Sequence, residues 1–233
     1  MAPPVSISML AASSRRRDRG ETLSATAYRK IRDKIVRLEL PPAAVLDESA
    51  LAQELGIGLT PIRQALRRLA LENLVVILPR RGTLVADLNP QDLQKIFEIR
   101  LELETLAARL AAERATQEEL QAMRELLALA EGTPPQEYAE MSRNEWLLHL
   151  DREAHRLLAQ AAHNEFLAEI LDWLYCHVMR LWYVVLPQVE SMAQAIQEHR
   201  VLLEALQERD PSRAEAIMHR HVASFQEEVL EKM

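Results

Sequence analysis

The charged residues divide this chain into two unlike parts, and that division constrains the fold more than any other feature. Residues 1–90 carry fourteen Lys and Arg against nine Asp and Glu, a net charge of +5, whereas residues 91–233 carry fourteen against twenty-six, a net charge of −12. All seven histidines lie in the second part. We therefore predict two domains with different chemistry, which meet near Asp87–Pro90, where Asn can cap a helix and Pro suits its first position.

The composition predicts a mainly α protein of the cytoplasm. Five glycines and 4% aromatic residues are too few for an all-β sandwich or a Rossmann fold, both of which need frequent turns. The apolar runs are shorter than the roughly 18 residues of a membrane span, so no membrane partner is expected. The lone cysteine, Cys176, excludes an intrachain disulfide and fits a reducing compartment.

The order of charge and hydrophobicity sets the predicted domain limits. Residues 1–21 place their basic residues after the apolar stretch, which is the wrong order for a secretory signal, so we predict a disordered basic tail. Residues 22–87 are predicted to form one domain and residues 88–233 the other.

Apolar periodicity predicts three helices in the basic domain. An amphipathic helix with a basic outer face covers residues 24–39, and a short helix capped by Asp47 ends at Gly56. A third helix is predicted to begin with Thr60 as its cap and Pro61 at its first position. Two helices joined by a tight turn are typical of a helix-turn-helix, whose second helix enters the major groove of DNA.

A basic β-hairpin is predicted to follow the third helix, as in a winged helix-turn-helix. The aliphatic runs Val75–Leu78 and Thr83–Ala86 flank a turn that carries two arginines and a glycine. Arginines at such a tip can contact phosphates or enter the minor groove, and Arg63 can reach base edges. The alternative is a small helical domain whose basic face is only solvated. The candidate DNA-binding residues are Thr60, Arg63, Gln64, Arg67, Arg80, Arg81 and Gly82.

The acidic part predicts an antiparallel all-α bundle. Helices are expected at residues 89–114, from the Thr116–Glu119 capping box to Gly132, and at residues 136–162, 164–186, 189–208 and 211–231. A bundle of roughly 140 residues buries a core and can enclose a cavity lined by polar groups.

Four side chains of this bundle suit a divalent transition metal. Asp151 and His155 are four residues apart and share one helix face. His199 and His221 fall on two predicted helices joined by a short turn, which makes those helices antiparallel neighbours. One carboxylate and three imidazoles suit Zn²⁺, Ni²⁺, Co²⁺ or Fe²⁺ and leave positions for water or an anion. Asp151 and His155 alone would more often be an ordinary surface pair.

The segment LPPAAVLDESALAQELGIGLTPIRQALRRLALENLVVILPRRGTLV, residues 40–85, resembles nearly end to end the winged-helix domain of the GntR regulators. The length and helical content of the remainder are similar to the FadR-like branch, whose C-terminal (FCD-type) domain is an all-helical ligand sensor. The resemblance implies a homodimer on a pseudo-palindromic operator. Gly58-Leu59 stands where the family usually has Ser-Arg, and Gln64 where it has Glu, so the operator sequence does not carry over.

The resemblance also implies one metal per chain on the four candidate ligands. The family motif of D-x-x-x-H, then H, then M-x-x-H is matched by DREAH ending at His155, by EHR around His199 and by MHRH ending at His221. Ala154 stands where the family often has an aromatic residue. The bystander histidines His149, His163, His177 and His219 have no matching position and are predicted to be structural or solvated.

Two arginines are candidate contacts for a carboxylate effector. Arg100 and Arg180 lie in family-like helical segments and could supply guanidinium groups. The alternatives are an Arg100–Glu104 helix pair and a capping or surface role for Arg180.

We therefore expect a ligand-responsive transcriptional regulator, a repressor, that senses a small organic acid through its metal-containing helical domain. A helical metalloenzyme acting on a small carboxylate is one alternative. Such an enzyme would need a general base, and Glu153, the nearest carboxylate in sequence, is expected to point away from the face of Asp151 and His155. A regulator with a purely structural metal is the other.

Overall fold

The computed structural model describes residues 21–232, apart from the side chains of residues 90, 91, 93, 137 and 230. The chain divides into two compact units, one ending at Asp87 and the other beginning at Leu88. Within the described residues there are nine α-helices and one small sheet, which confirms the predicted mainly α fold. Of the predicted basic tail, residues 1–21, all but Glu21 lies outside the described residues.

The first unit has the elements of a winged helix-turn-helix. Its three helices pack around buried aliphatic residues, among them Ile31, Ile35, Ile62 and Leu66. The sheet is antiparallel in the order β1-β3-β2, and its short first strand was not predicted because two residues carry no periodic signal. The elements are α1 (Leu23–Val36), β1 (Val45–Leu46), α2 (Glu48–Leu55), α3 (Leu59–Leu71), β2 (Val75–Leu78) and β3 (Gly82–Val85).

Two helix ends in this unit differ from the prediction. Helix α3 begins at Leu59 after the N-cap Gly58, so the prediction that Thr60 caps it and Pro61 comes first was wrong. Pro61 is tolerated in the first turn because the N–H that proline lacks has no partner within the helix there. Helix α1 ends at Val36, before Leu38 adopts a left-handed backbone with φ of 59°.

The second unit is all-helical, as predicted. The predicted capping box of Thr116 and Glu119 is present, but the third helix begins at a second capping box, Ser142 with Glu145, and not at residue 136. The fifth helix likewise begins at residue 193 and not at 189. The helices are α4 (Pro90–Arg114), α5 (Gln117–Ala128), α6 (Arg143–Ala161), α7 (Glu165–Val185), α8 (Ala193–Gln207) and α9 (Pro211–Lys232).

Helix α4 is the centre of the second unit and contacts α6, α7, α8 and α9. Its fully buried alanines, such as Ala107, Ala108 and Ala111, allow neighbouring helices to approach closely. This packing brings the inner faces of α6, α8 and α9 together beside α4, where the predicted metal ligands lie. Among the described helices, none combines the length and apolar character needed to cross a bilayer.

Candidate functional site

The four predicted metal ligands meet in the interior of the second unit. Asp151, His155, His199 and His221 are all buried, and one donor atom from each lies within 4.8 Å of the others. His155 and Asp151 come from one face of α6, while α8 supplies His199 and α9 supplies His221. Three helices therefore bring together a donor set that is far apart in the sequence.

The distances between the donor atoms fit a common centre. The Nε2 atoms of His155 and His221 are 3.0 Å apart, and the Nε2 of His199 is 2.9 Å from an Asp151 carboxylate oxygen. The same oxygen is 3.7 Å from His221 Nε2 and 3.9 Å from His155 Nε2. Two ligand atoms that are each about 2.1 Å from one metal at tetrahedral or octahedral angles would lie about 3.0–3.4 Å apart.

Two glutamates hold the outer nitrogens of these imidazoles. The Nδ1 of His221 is 2.7 Å from Oε2 of Glu198, and the Nδ1 of His155 contacts Oε2 of Glu104. An ionised carboxylate only accepts hydrogen bonds, so the bond to Glu198 places a proton on Nδ1 of His221, and the close contact with Glu104 favours the same tautomer for His155. This assignment leaves both Nε2 atoms unprotonated in the neutral rings and directed at the centre of the cluster.

That arrangement of lone pairs is the strongest sign of a cation site. In the tautomer with the proton on Nδ1 of both rings, the two Nε2 atoms 3.0 Å apart cannot hydrogen-bond to each other, and their lone pairs repel. A metal ion between them relieves the repulsion, because it accepts both lone pairs. The glutamate–histidine–metal arrangement is also the usual way in which proteins orient a ligating imidazole.

The electrostatics of the cluster favour deprotonated donors. Burial alone would raise the pKa of Asp151, but His155, His199 and His221 together hold that pKa far below its usual range. Burial lowers the pKa of His199 to about 4, although its bond to Asp151 acts in the opposite direction. At neutral pH Asp151 is therefore ionised and His199 is neutral, and the Nε2 proton that His199 donates to Asp151 is the one that a bound metal would displace.

A cavity of about 370 Å³ adjoins the cluster and is lined by two of its four donor residues. Arg100, Asp151, Glu198 and His221 are part of its wall. The Arg100 guanidinium pairs with Glu104 through Nε and donates a 2.9 Å hydrogen bond from Nη2 to the hydroxyl of Tyr175. Its Nη1 is buried and has no hydrogen-bond partner among the described residues.

The two predicted effector arginines thus differ in position. The predicted Arg100–Glu104 helix pair exists, and the same arginine also lines the cavity. Arg180 is buried, which excludes the alternative of a surface role, but it is not among the residues that line this cavity. The effector role of both arginines stays a prediction.

The four bystander histidines lie outside the cluster. His149 stacks beside Trp146, and His177 packs edge-on against Trp173. His163 pairs with Glu119 at the surface, and His219 is exposed. None of them belongs to a group of potential ligands within the part of the chain that the structure describes.

The predicted DNA-binding residues form an exposed set in the first unit. The α3 members Thr60, Arg63, Gln64 and Arg67 are exposed, and so are Arg80, Arg81 and Gly82 at the hairpin tip. Gly82 has a φ of 86°, in the left-handed region that favours glycine, so the turn itself requires it.

Arg63 has a partner that the sequence did not indicate. Its Nε donates a 2.7 Å hydrogen bond to Oε2 of Glu48, at the first position of α2. The pair joins the two helices of the helix-turn-helix across their exposed side.

Sequence reasoning also missed the roles of Glu104 and Glu198. The sequence predicted Glu104 only as a helix partner of Arg100. Its contact with His155 was not predicted because the two residues are 51 positions apart. Glu198 precedes a predicted ligand, but its own partner is His221, on the next helix. The sequence signal for Glu104 was its spacing of four residues from the candidate effector contact Arg100.

Comparison with known proteins gives matches to both units. Residues 23–85 match the model for bacterial regulatory proteins of the gntR family, and residues 95–224 match the FCD domain. The HTH-type transcriptional repressor GlaR of Escherichia coli (strain K12) is 27% identical over 206 residues, which cover 85% of this chain and 92% of that protein. A probable D-xylose utilization operon transcriptional repressor of Paenarthrobacter nicotinovorans is 30% identical over 207 residues, covering 86% and 87%.

Solved structures share the same architecture. The structure of E. coli McbR/YncC aligns with a TM-score of 0.78 at 24% identity and covers 91% of this chain and 99% of that one. A putative GntR regulator from Rhodococcus sp. RHA1 aligns with a TM-score of 0.73 at 17% identity. At these identities the likeness shows the fold alone.

Proposed function

Because the chain belongs to the GntR family of bacterial transcriptional regulators and carries an FCD domain, we propose that it is a repressor that releases or binds its operator in response to a small carboxylate. Members of this family bind DNA operators and commonly act as dimers, and repressors are among the named relatives. The protein is a regulator and not an enzyme, so the metalloenzyme alternative is set aside. Because its proposed target is a DNA operator, we propose that it acts in the cytoplasm.

We propose that Asp151, His155, His199 and His221 hold one divalent transition metal per chain. The observation that carries this proposal is the pair of imidazole Nε2 atoms directed at each other by Glu104 and Glu198. Three nitrogens and one oxygen suit Zn²⁺, Ni²⁺, Co²⁺ or Fe²⁺. When bound, such an ion supplies a Lewis-acidic position that can accept an oxygen of an anion.

The effector is proposed to be a small monocarboxylate bound in the cavity beside these donors. The buried Arg100 offers Nη1 to a carboxylate, and the ion pair with Glu104 holds the guanidinium in place. The same cavity is also lined by Glu227, Glu228, Glu231 and Lys232, three acids and one base. A ligand with a second negative charge would meet these acids, so monocarboxylates should bind better than dicarboxylates.

Homodimerisation is supported by an exposed apolar stripe on the helical unit. Helix α7 exposes Phe166, Ile170 and Val184, which lie within about 40° of one another around its axis. Helix α4 packs against α7 and exposes Ile99. Phe166 is 72% exposed. Exposed apolar side chains along one helix face are typical of an interface, and a second copy would supply the second DNA-binding unit that a two-part operator requires.

The experiment that tests the regulator is an operator-binding titration with metal as a variable. An operator selected from random duplexes would be titrated with metal-loaded and with chelated protein, each with a panel of mono- and dicarboxylates. A monocarboxylate that shifts operator affinity only when metal is present supports a sensor. A metal that raises thermal stability while no carboxylate changes DNA affinity would show the structural-metal alternative instead. The absence of any selected sequence would refute the regulatory function itself.

A further inference from the structure

The recognition helix α3 begins with an exposed leucine. Leu59 occupies its first helical position and is 41% exposed. The N-cap before it is Gly58, which makes no side-chain hydrogen bond to the helix. The start of α3 therefore presents an aliphatic side chain at its first position, directly after an N-cap that has no side chain.

Leu59 lies on the same side of α3 as Arg63. Residues four apart on a helix are separated by about 40° around the axis and about 6 Å along it. Glu48 holds the Arg63 guanidinium at 2.7 Å, so the neighbour of Leu59 has a defined position. The exposed surface at the start of α3 thus combines one leucine, one oriented arginine and the hydroxyl of Thr60.

The major groove offers an aliphatic side chain one matching feature. Guanine, adenine and cytosine edges present hydrogen-bonding groups there, whereas thymine also presents a 5-methyl group. A leucine cannot pair with a phosphate or with a guanine edge, but it can cover that methyl group and remove it from water.

We propose that Leu59 is a specificity-determining residue that packs against the 5-methyl group of a thymine in each operator half-site. The spacing of about 6 Å from Arg63 corresponds to about two base-pair steps of 3.4 Å, so this thymine lies within two base pairs of the base that Arg63 contacts. The inference rests on the proposed DNA-binding function.

The test replaces thymine by uracil, which lacks only the methyl group. Duplexes selected by the full-length protein would be synthesised with a single uracil at each thymine position in turn, and affinity would be measured by fluorescence anisotropy. One position per half-site should lose roughly fourfold in affinity, the equivalent of one methyl-sized group left in water. In Leu59→Ala the same uracil should cost nothing further, because the partner of the methyl group is already gone.

Two further variants provide the controls. Leu71 ends α3, is 86% exposed, and is also a lone surface leucine, so Leu71→Ala should keep the full uracil penalty at every position. Leu59→Met keeps an apolar side chain of similar volume and should retain most of the penalty.

The possible outcomes separate the thymine contact of Leu59 from the proposed DNA-binding function as a whole. Loss of one uracil penalty in Leu59→Ala alone supports the inference. An unchanged uracil profile in Leu59→Ala, or a loss of the penalty in Leu71→Ala as well, would overturn it while leaving a sequence-specific regulator. Failure to select any sequence would instead overturn the proposed function, and the inference with it.

Discussion

Replacing His221 by alanine should remove most of the metal affinity, while replacing His219 should leave it intact. The two histidines are on the same helix, two residues apart, so both substitutions change helix propensity in the same way. His221 is 6% exposed and its Nε2 is one of the four converging donors, whereas His219 is exposed and outside the cluster. His219→Ala is therefore a matched control.

The expected size of the effect follows from the loss of one donor in four. Losing an outer partner of a ligand typically costs about 10–100-fold in affinity, so losing a ligand itself should cost at least that. With free metal at 100 times the Kd of the parent protein, binding adds about 2.7 kcal/mol to the free energy of unfolding. A variant that binds 10–100-fold more weakly keeps only about 1.4–0.4 kcal/mol under the same conditions.

Differential scanning fluorimetry, with and without metal, measures the stability that metal binding adds to each variant. For a unit of this size, the parent protein and His219→Ala should gain about 5–10 °C in Tm on metal addition, and His221→Ala at most about half of that. Metal content by mass spectrometry after desalting gives an independent readout. Equal gains in the parent and His221→Ala, or a loss confined to His219→Ala, would refute the assigned ligand set.

Four shorter predictions concern DNA binding, assembly and pH. Arg63→Ala should cost about 1–3 kcal/mol per half-site and remove sequence preference in gel shifts, because a bidentate base contact is lost; undiminished operator affinity would refute the role of α3. Arg80→Ala and Arg81→Ala should weaken binding to all sequences and flatten the salt dependence, as phosphate contacts do. Phe166→Glu should convert a dimer of twice the monomer mass into a monomer in light scattering, and a parent protein that is itself monomeric would contradict the interface. Burial lowers the pKa of His199 to about 4, from a value near 6.5 in the unfolded chain, so the unfolded state binds this proton at a higher pH than the folded state does. Metal-free protein should therefore lose stability in urea titrations as the pH falls from about 6.5 to 4. A stability that does not change over this range would refute the prediction.

The elements that repeat a local pattern were predictable from the sequence. The stripe through Ile62, Leu66 and Leu69 predicted α3, and Thr116 with Glu119 predicted the start of α5, because both signals lie within a few residues. The i, i+4 spacing of Asp151 and His155 predicted their shared face for the same reason.

Features that depend on packing between helices were not predictable in the same way. The start of α3 was misplaced by two residues because Gly58 caps it without a side chain, and Thr60 is the better capping residue by type. The start of α6 was misplaced because Ser142 with Glu145, a capping box in its own right, was overlooked. The contact of Glu104 with His155 joins α4 to α6, and no spacing rule predicts which helices that are not consecutive in sequence will be neighbours.

Glu104 connects the proposed metal site to the proposed effector contact. One of its oxygens pairs with Arg100, which lines the cavity, and the other contacts Nδ1 of His155, whose Nε2 belongs to the donor cluster. Arg100 and His155 together outweigh the cost of burial and lower the Glu104 pKa to about 2, so the carboxylate is charged and forms an ion pair with Arg100. A ligand carboxylate on Nη1 of Arg100 would share the guanidinium charge with Glu104, which keeps its contact through Nε. Glu104 would then interact more weakly with Arg100 and more strongly with His155, so the proposed effector and metal would be coupled through one buried side chain.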